Sequence, residues 1–180
     1  MKRLYIIVLM ALWLIGLSGC SKRELEDRSF PSVLIVEDGN LEEAIHKKQE
    51  ESSLFLDFGH TKAVLMDREV LKDRKAFKEA LLYMEHRPDF ARNLLLFCAD
   101  EKVRQAAEEN QKESGFLLED LYNNQPKEQM QKGVTLQDAL NYLHNAEERL
   151  EIPCLEIKDG DFIRDGSEVL IWEKQAPDVV

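Results

Sequence analysis

The sequence predicts an α/β fold, in which a single domain with a mixed β-sheet flanked by helices follows a lipoprotein signal peptide. Three observations carry the prediction. Short apolar runs bounded by turn residues recur along the chain, notably Val33-Leu34-Ile35-Val36 and Asn93-Leu94-Leu95-Leu96-Phe97-Cys98, as expected of strands covered on both faces. Between them lie segments whose apolar residues fall at i, i+3, i+4 and i+7, the spacing of one helix face. The composition, 44% hydrophobic and 33% charged over 180 residues, is that of a globular protein. No internal repeat and no Gly- or Pro-rich linker divides the chain, and a unit of this size buries roughly 70% of its unfolded surface in one core. The formal charge of −11 argues against nucleic acid as a partner, because phosphate neutralisation needs a basic face.

The first element is a signal segment. Lys2 and Arg3 form a positive n-region, and residues 4–17 carry no charge. Fourteen residues span only about 21 Å of helix, against a hydrocarbon core of roughly 30 Å, which suits a signal-peptide core better than a spanning helix. Leu17-Ser18-Gly19-Cys20 closes it with an aliphatic residue, two small residues and a cysteine, which looks like the bacterial lipobox. Cys20 is the side chain there whose thiolate can be alkylated to a diacylglyceryl thioether. Cleavage before Cys20 removes Lys2 and Arg3 and makes the mature chain more acidic by two charges. Two acyl chains make such an anchor stable where one is marginal. The expected organisation is a signal peptide at 1–19, a lipid-anchored tether at 20–31, an α/β domain at 32–174 and a tail at 175–180.

Within the domain, residues 33–36 are the first strand, and residues 41–51 are either a short helix or a polar excursion. Residues 54–58 and 62–66 are further strands. Phe77, Ala80, Leu81 and Met84 share one helix face, and Pro88 ends that helix. Asn93 to Cys98 is the strongest strand. Asp100 can cap the next helix, whose buried face is Val103, Ala106 and Ala107. Residues 116–122 suggest another short helix, broken by Pro126. Thr135 and Asp138 form a capping-box-like pair ahead of Leu136, Ala139, Leu140, Leu143 and Ala146. Pro153 stops any continuation of that helix. Leu155 and Ile157 alternate with charges as a strand, Asp159-Gly160 and Asp165-Gly166 are turn signals, and residues 169–172 are a final strand.

The chemistry-bearing residues support few sites. Cys98 and Cys154 both fall in apolar strand segments. Two readings stay open, a pair of buried free thiols or a disulfide between neighbouring strands outside the cytoplasm. No metal site is expected, since neither cysteine has a partner ligand at chain spacing. His46, His60, His86 and His144 form no HxH or HExxH pattern and are expected to be solvated or locally bonded. Asp159, Asp161 and Asp165 lack the alternating oxygens and closing Glu of a Ca²⁺ loop, so paired hairpin turns are expected. Gly39, Gly59 and Gly133 form no phosphate loop, and neither Ser-Gly pair sits in a nucleophile elbow. No enzyme activity and no cofactor are expected.

Three stretches carry a family resemblance. Cys20 followed by Arg23-Glu24-Leu25-Glu26-Asp27, the segment from His60 through Arg87-Pro88-Asp89 to Cys98, and the closing Ile152-Pro153-Cys154-Leu155-Glu156 and Phe162 to Val169 segments resemble Ger(x)C-type spore germination lipoproteins in order and spacing. The likeness is to the N-terminal domain of that family, whose members continue into further α/β domains. It implies the C subunit of a nutrient germinant receptor. Such a subunit is anchored by its lipid to the outer face of the spore inner membrane, acts beside integral membrane subunits and has no known catalysis. The alternative is an unrelated extracytoplasmic lipoprotein that binds a ligand or acts on the envelope.

Overall fold

The computed structural model describes residues 25–123, 133–145 and 149–171. The signal segment, Cys20, Pro126, Ala146, Trp172 and the tail lie outside them. After a 3₁₀ turn at Leu25–Asp27, β1 (Arg28–Ser29) and β2 (Val33–Val36) lead to α1 (Leu41–Glu51). β3 (Phe55–Leu56) and β4 (Ala63–Met66) follow, then α2 (Arg68–Lys72), α3 (Arg74–Glu85) and β5 (Leu95–Ala99). The chain continues through α4 (Glu101–Glu109), α5 (Ser114–Asn123) and α6 (Leu136–Asn145), and ends in β6 (Leu150–Lys158) and β7 (Asp161–Leu170).

The main sheet runs β2-β4-β5-β6-β7. Its first four strands are parallel and β7 is antiparallel to β6, so the sheet is mixed as predicted. A small parallel pair, β1 with β3, sits apart and is tied by Arg28 Nη1 to Asp57 Oδ2 at 2.6 Å. Period-two alternation sends successive strand residues to opposite faces. Leu34, Val36, Val64, Met66, Leu96 and Cys98 join the layer with α1, α2, α3 and α6. Val33, Ala63, Leu65, Phe97 and Ala99 pack under Val103, Ala107, Leu118 and Tyr122 of α4 and α5. This two-sided cover explains why the strands read as unbroken apolar runs.

Polar caps set the helix starts. Asn40 accepts from Glu43 N at 3.2 Å and resolves residues 41–51 as helix α1, which buries Leu41 and Ile45. The expected capping box holds at α6, where Thr135 N donates to Asp138 Oδ2 at 3.0 Å and Asp138 N donates to Thr135 Oγ1 at 3.2 Å. Asp100 caps α4 through Val103 N at 2.9 Å.

Two expectations, the strand at 54–58 and the turn at Asp165-Gly166, are corrected, and two features, α2 and the register shift at Pro153, are added. The helix around Phe77 is preceded by a separate turn of helix, α2, because Asp67 and Asp73 each cap a start, through Glu69 N and Lys75 N, both at 2.8 Å. The strand expected at 54–58 shrinks to two residues, because the Asp57 carboxylate takes Gly59 N at 3.0 Å and opens a 3₁₀ turn at Phe58–His60. Pro153 lies inside β6, and it is there that the β6–β7 register shifts, between Pro153 and Leu155. Opposite that shift sits Asp165-Gly166, so this pair is a bulge within β7, with Gly166 at φ 74°, and not a second hairpin turn. Asp159-Gly160 is the hairpin turn, and both residues have positive φ (55° and 91°) as a type I′ turn demands.

Candidate functional site

In parallel sheets, functional groups collect where the strands end. Glu37, Asp67 and Asp100 follow β2, β4 and β5 directly. Arg104, on the inner face of α4, reaches this edge with its side chain only 10% exposed. Its guanidinium bonds the Asp67 carboxylate, donates to the Ala99 carbonyl at 2.8 Å, and meets Glu37 Oε1 at 3.4 Å. One buried cation thus ties three strand ends together. Helical spacing does not reveal it, because Arg104 sits between Val103 and Ala107, where an apolar residue is expected.

A second cluster lies one layer in. Cys98 and Cys154 are direct register partners on the parallel strands β5 and β6, and both are buried free thiols with no disulfide between them. On β7, Glu168 is the register partner of Ile152, so its side chain shares the face used by Ile152 and Cys154. Arg68, at the start of α2, donates from Nη2 to Cys154 Sγ at 3.7 Å and pairs with Glu168 at 3.9 Å. The Cys98 thiol is pushed far above the ordinary thiol range, first by its hydrogen bond to Cys154 and then by burial. Cys154 moves the opposite way, because Cys98 S–H donates to it and Arg68 lies beside it, and these outweigh its burial. Chain spacing placed both cysteines in strands but could not show Glu168 or Arg68 beside them.

The histidines are placed as expected. His46 faces Glu50 at 3.5 Å, His86 Nδ1 lies 2.6 Å from the Leu82 carbonyl, and His144 meets Glu85 at 2.9 Å. His60 packs edge-on against Phe30, with ring centroids 5.0 Å apart. A groove of about 440 Å³ runs along β2 and α1, where Lys48 joins Glu108 of α4 at 2.8 Å. Among the described residues, no helix is long and apolar enough to cross a membrane. Leu17, Ser18, Gly19 and Cys20 lie outside the described residues.

Comparison with known proteins gives one match. The family model described as "Spore germination protein N-terminal domain" covers residues 21–157, from just after Cys20 into β6. No curated protein and no solved structure matches the chain. The matched span contains β1 through α6, Arg104 and both buried cysteines, while β7 and Glu168 lie beyond it. A match over this much of the sequence assigns the chain a role related to germination, and the chain belongs to the spore germination protein N-terminal domain family.

Proposed function

We propose that the chain is a lipid-anchored, non-catalytic subunit of a nutrient germinant receptor, held by a diacylglyceryl thioether on Cys20 at the extracytoplasmic face of the spore inner membrane and assembled with integral membrane subunits. The observation that carries this reading is the order of its parts. A charged n-region, an apolar core and a lipobox ending at Cys20 are followed, at residue 21, by the first residue matched to the germination family. The anchor places the α/β domain against the membrane, where partner subunits are reached by lateral diffusion. The domain's task is then contact and positioning, and a rigid two-layer core held by capped helices suits it.

The experiment is metabolic labelling with radioactive palmitate, followed by fractionation and cross-linking of sporulating cells. Label enters the wild-type chain, which sediments with membrane and cross-links to multi-span proteins. Cys20→Ala takes up no label and leaves the membrane fraction. An unlabelled, freely soluble wild-type chain contradicts the proposal.

A further inference from the structure

Three donor side chains converge across β5, β6 and β7. The Sγ atoms of Cys98 and Cys154 and a carboxylate oxygen of Glu168 all lie within 4.8 Å of one another. Register fixes this arrangement: Cys98 opposes Cys154, and Glu168 opposes Ile152, two residues before Cys154 on the same face. The β7 bulge opposite Cys154 sets where Glu168 falls along the strand. Packing alone does not call for this set. Aliphatic side chains would fill positions 98 and 154, and thiols are weak donors to a carboxylate. The Glu168 side chain is only 20% exposed, and its ion pair with Arg68 is long.

We propose that Cys98, Cys154 and Glu168 form a binding site for a thiophilic divalent cation of the Zn²⁺ class. Two sulfurs and one oxygen are a donor set that tetrahedral Zn²⁺ accepts, with water as the fourth ligand. Ideal Zn–S and Zn–O bonds place such donors about 3.5–3.8 Å apart, so closing the site needs adjustments of roughly an ångström or less. Charge balances as well. Two thiolates and a carboxylate are neutralised by Zn²⁺ together with Arg68, which stays as an outer partner donating to Cys154 sulfur. Binding forms two Zn–S bonds and one Zn–O bond and releases the two thiol protons to solvent, with no change of oxidation state. The Arg68 side chain beside the site is 55% exposed. The site joins the matched part of the chain to β7, and it stands or falls independently of the membrane role.

The test uses the full chain, purified in detergent with a reductant, stripped of metal and titrated with Co²⁺. The expected result is one-to-one binding, with a sulfur-to-cobalt charge-transfer band and the visible bands of tetrahedral Co²⁺, all displaced by Zn²⁺. Cys98→Ser and Cys154→Ser each lose most of the charge-transfer band. Glu168→Gln, which keeps volume and leaves the sulfurs in place, weakens Co²⁺ binding at least ~10-fold. At the same Zn²⁺ concentration the melting temperature of the wild type rises more than that of Glu168→Gln, which separates binding from misfolding. The proposal is overturned by a missing charge-transfer band in the wild type, by unchanged affinity in Glu168→Gln, by a band that persists in the cysteine variants, or by a Cys98–Cys154 disulfide in acid-quenched cells.

Discussion

Replacing Asp67 by Ser tests the Arg104 linkage, because Ser keeps the cap on α2 while removing the charge. In the wild type, Arg104 has the Asp67 carboxylate, the Ala99 carbonyl and, at 3.4 Å, Glu37, whose side chain is 68% exposed. Without Asp67 the guanidinium remains 90% buried, facing a carbonyl and a solvated carboxylate. Breaking a buried pair from one side costs about 3–5 kcal/mol. Asp67 is itself 22% exposed, and Glu37 can move closer, so the low end applies, about 3 kcal/mol. For a domain of this size that lowers Tm by about 6–12 °C. Asp67→Ala also loses the cap and costs about 1 kcal/mol more. Arg104→Met leaves the Asp67 carboxylate unpaired, but at 22% exposure that carboxylate is better hydrated than the 10%-exposed guanidinium, so the change costs less than Asp67→Ser. Urea unfolding followed by circular dichroism reads these differences through shifts in midpoint at constant m. A loss below about 1 kcal/mol in Asp67→Ser, or a larger loss in Arg104→Met, would refute a buried cation that depends on Asp67.

Two further outcomes follow from the packing and the charges. At Gly115, a Cβ would sit 2.7 Å from Ser32 Oγ, the hydroxyl that receives the Gly115 amide at 2.9 Å. Gly115→Ala therefore destabilises by about 1–3 kcal/mol despite its gain in helix propensity, as denaturant titration will show. The Asp57 carboxyl is held below the usual carboxylate range, first by the Gly59 amide and also by Arg28. A lowered carboxyl gives stability that is whole above the ordinary carboxylate pKa and is lost as pH falls through the lowered value. Stability measured from pH 6 down to pH 2 should therefore decline less steeply in Asp57→Asn than in the wild type, and equal slopes would remove Asp57 from the acid response.

Much of the fold could be read from residues whose partners lie nearby in sequence. The Thr135–Asp138 box, the Asp100 cap, the Phe77–Met84 face and the Asp159-Gly160 turn all depend on contacts within a few positions. The central strands were legible because burial on both faces leaves an apolar run that needs no knowledge of register. Features that depend on distant partners were hidden. Pro153 ordinarily ends an element, and it is tolerated within β6 because the strand pairing shifts there. Gly166 signals a turn, and only the β6–β7 register makes it a bulge. The site divides in the same way. Cys98 and Cys154 could be placed in strands, but their facing one another depends on β5 pairing with β6. Glu168 stands out from no spacing rule, and Arg104 breaks the apolar pattern of its helix for partners supplied by other strands.

If the chain acts in germination from the membrane through Cys20, nutrient-triggered germination of spores depends on that cysteine. Spores of the native host carrying Cys20→Ala as the sole copy should lose optical density slowly or not at all when nutrient is added, while still germinating when receptor-independent triggers are used. Wild-type kinetics from those spores, with the altered chain present in normal amount, would contradict the account.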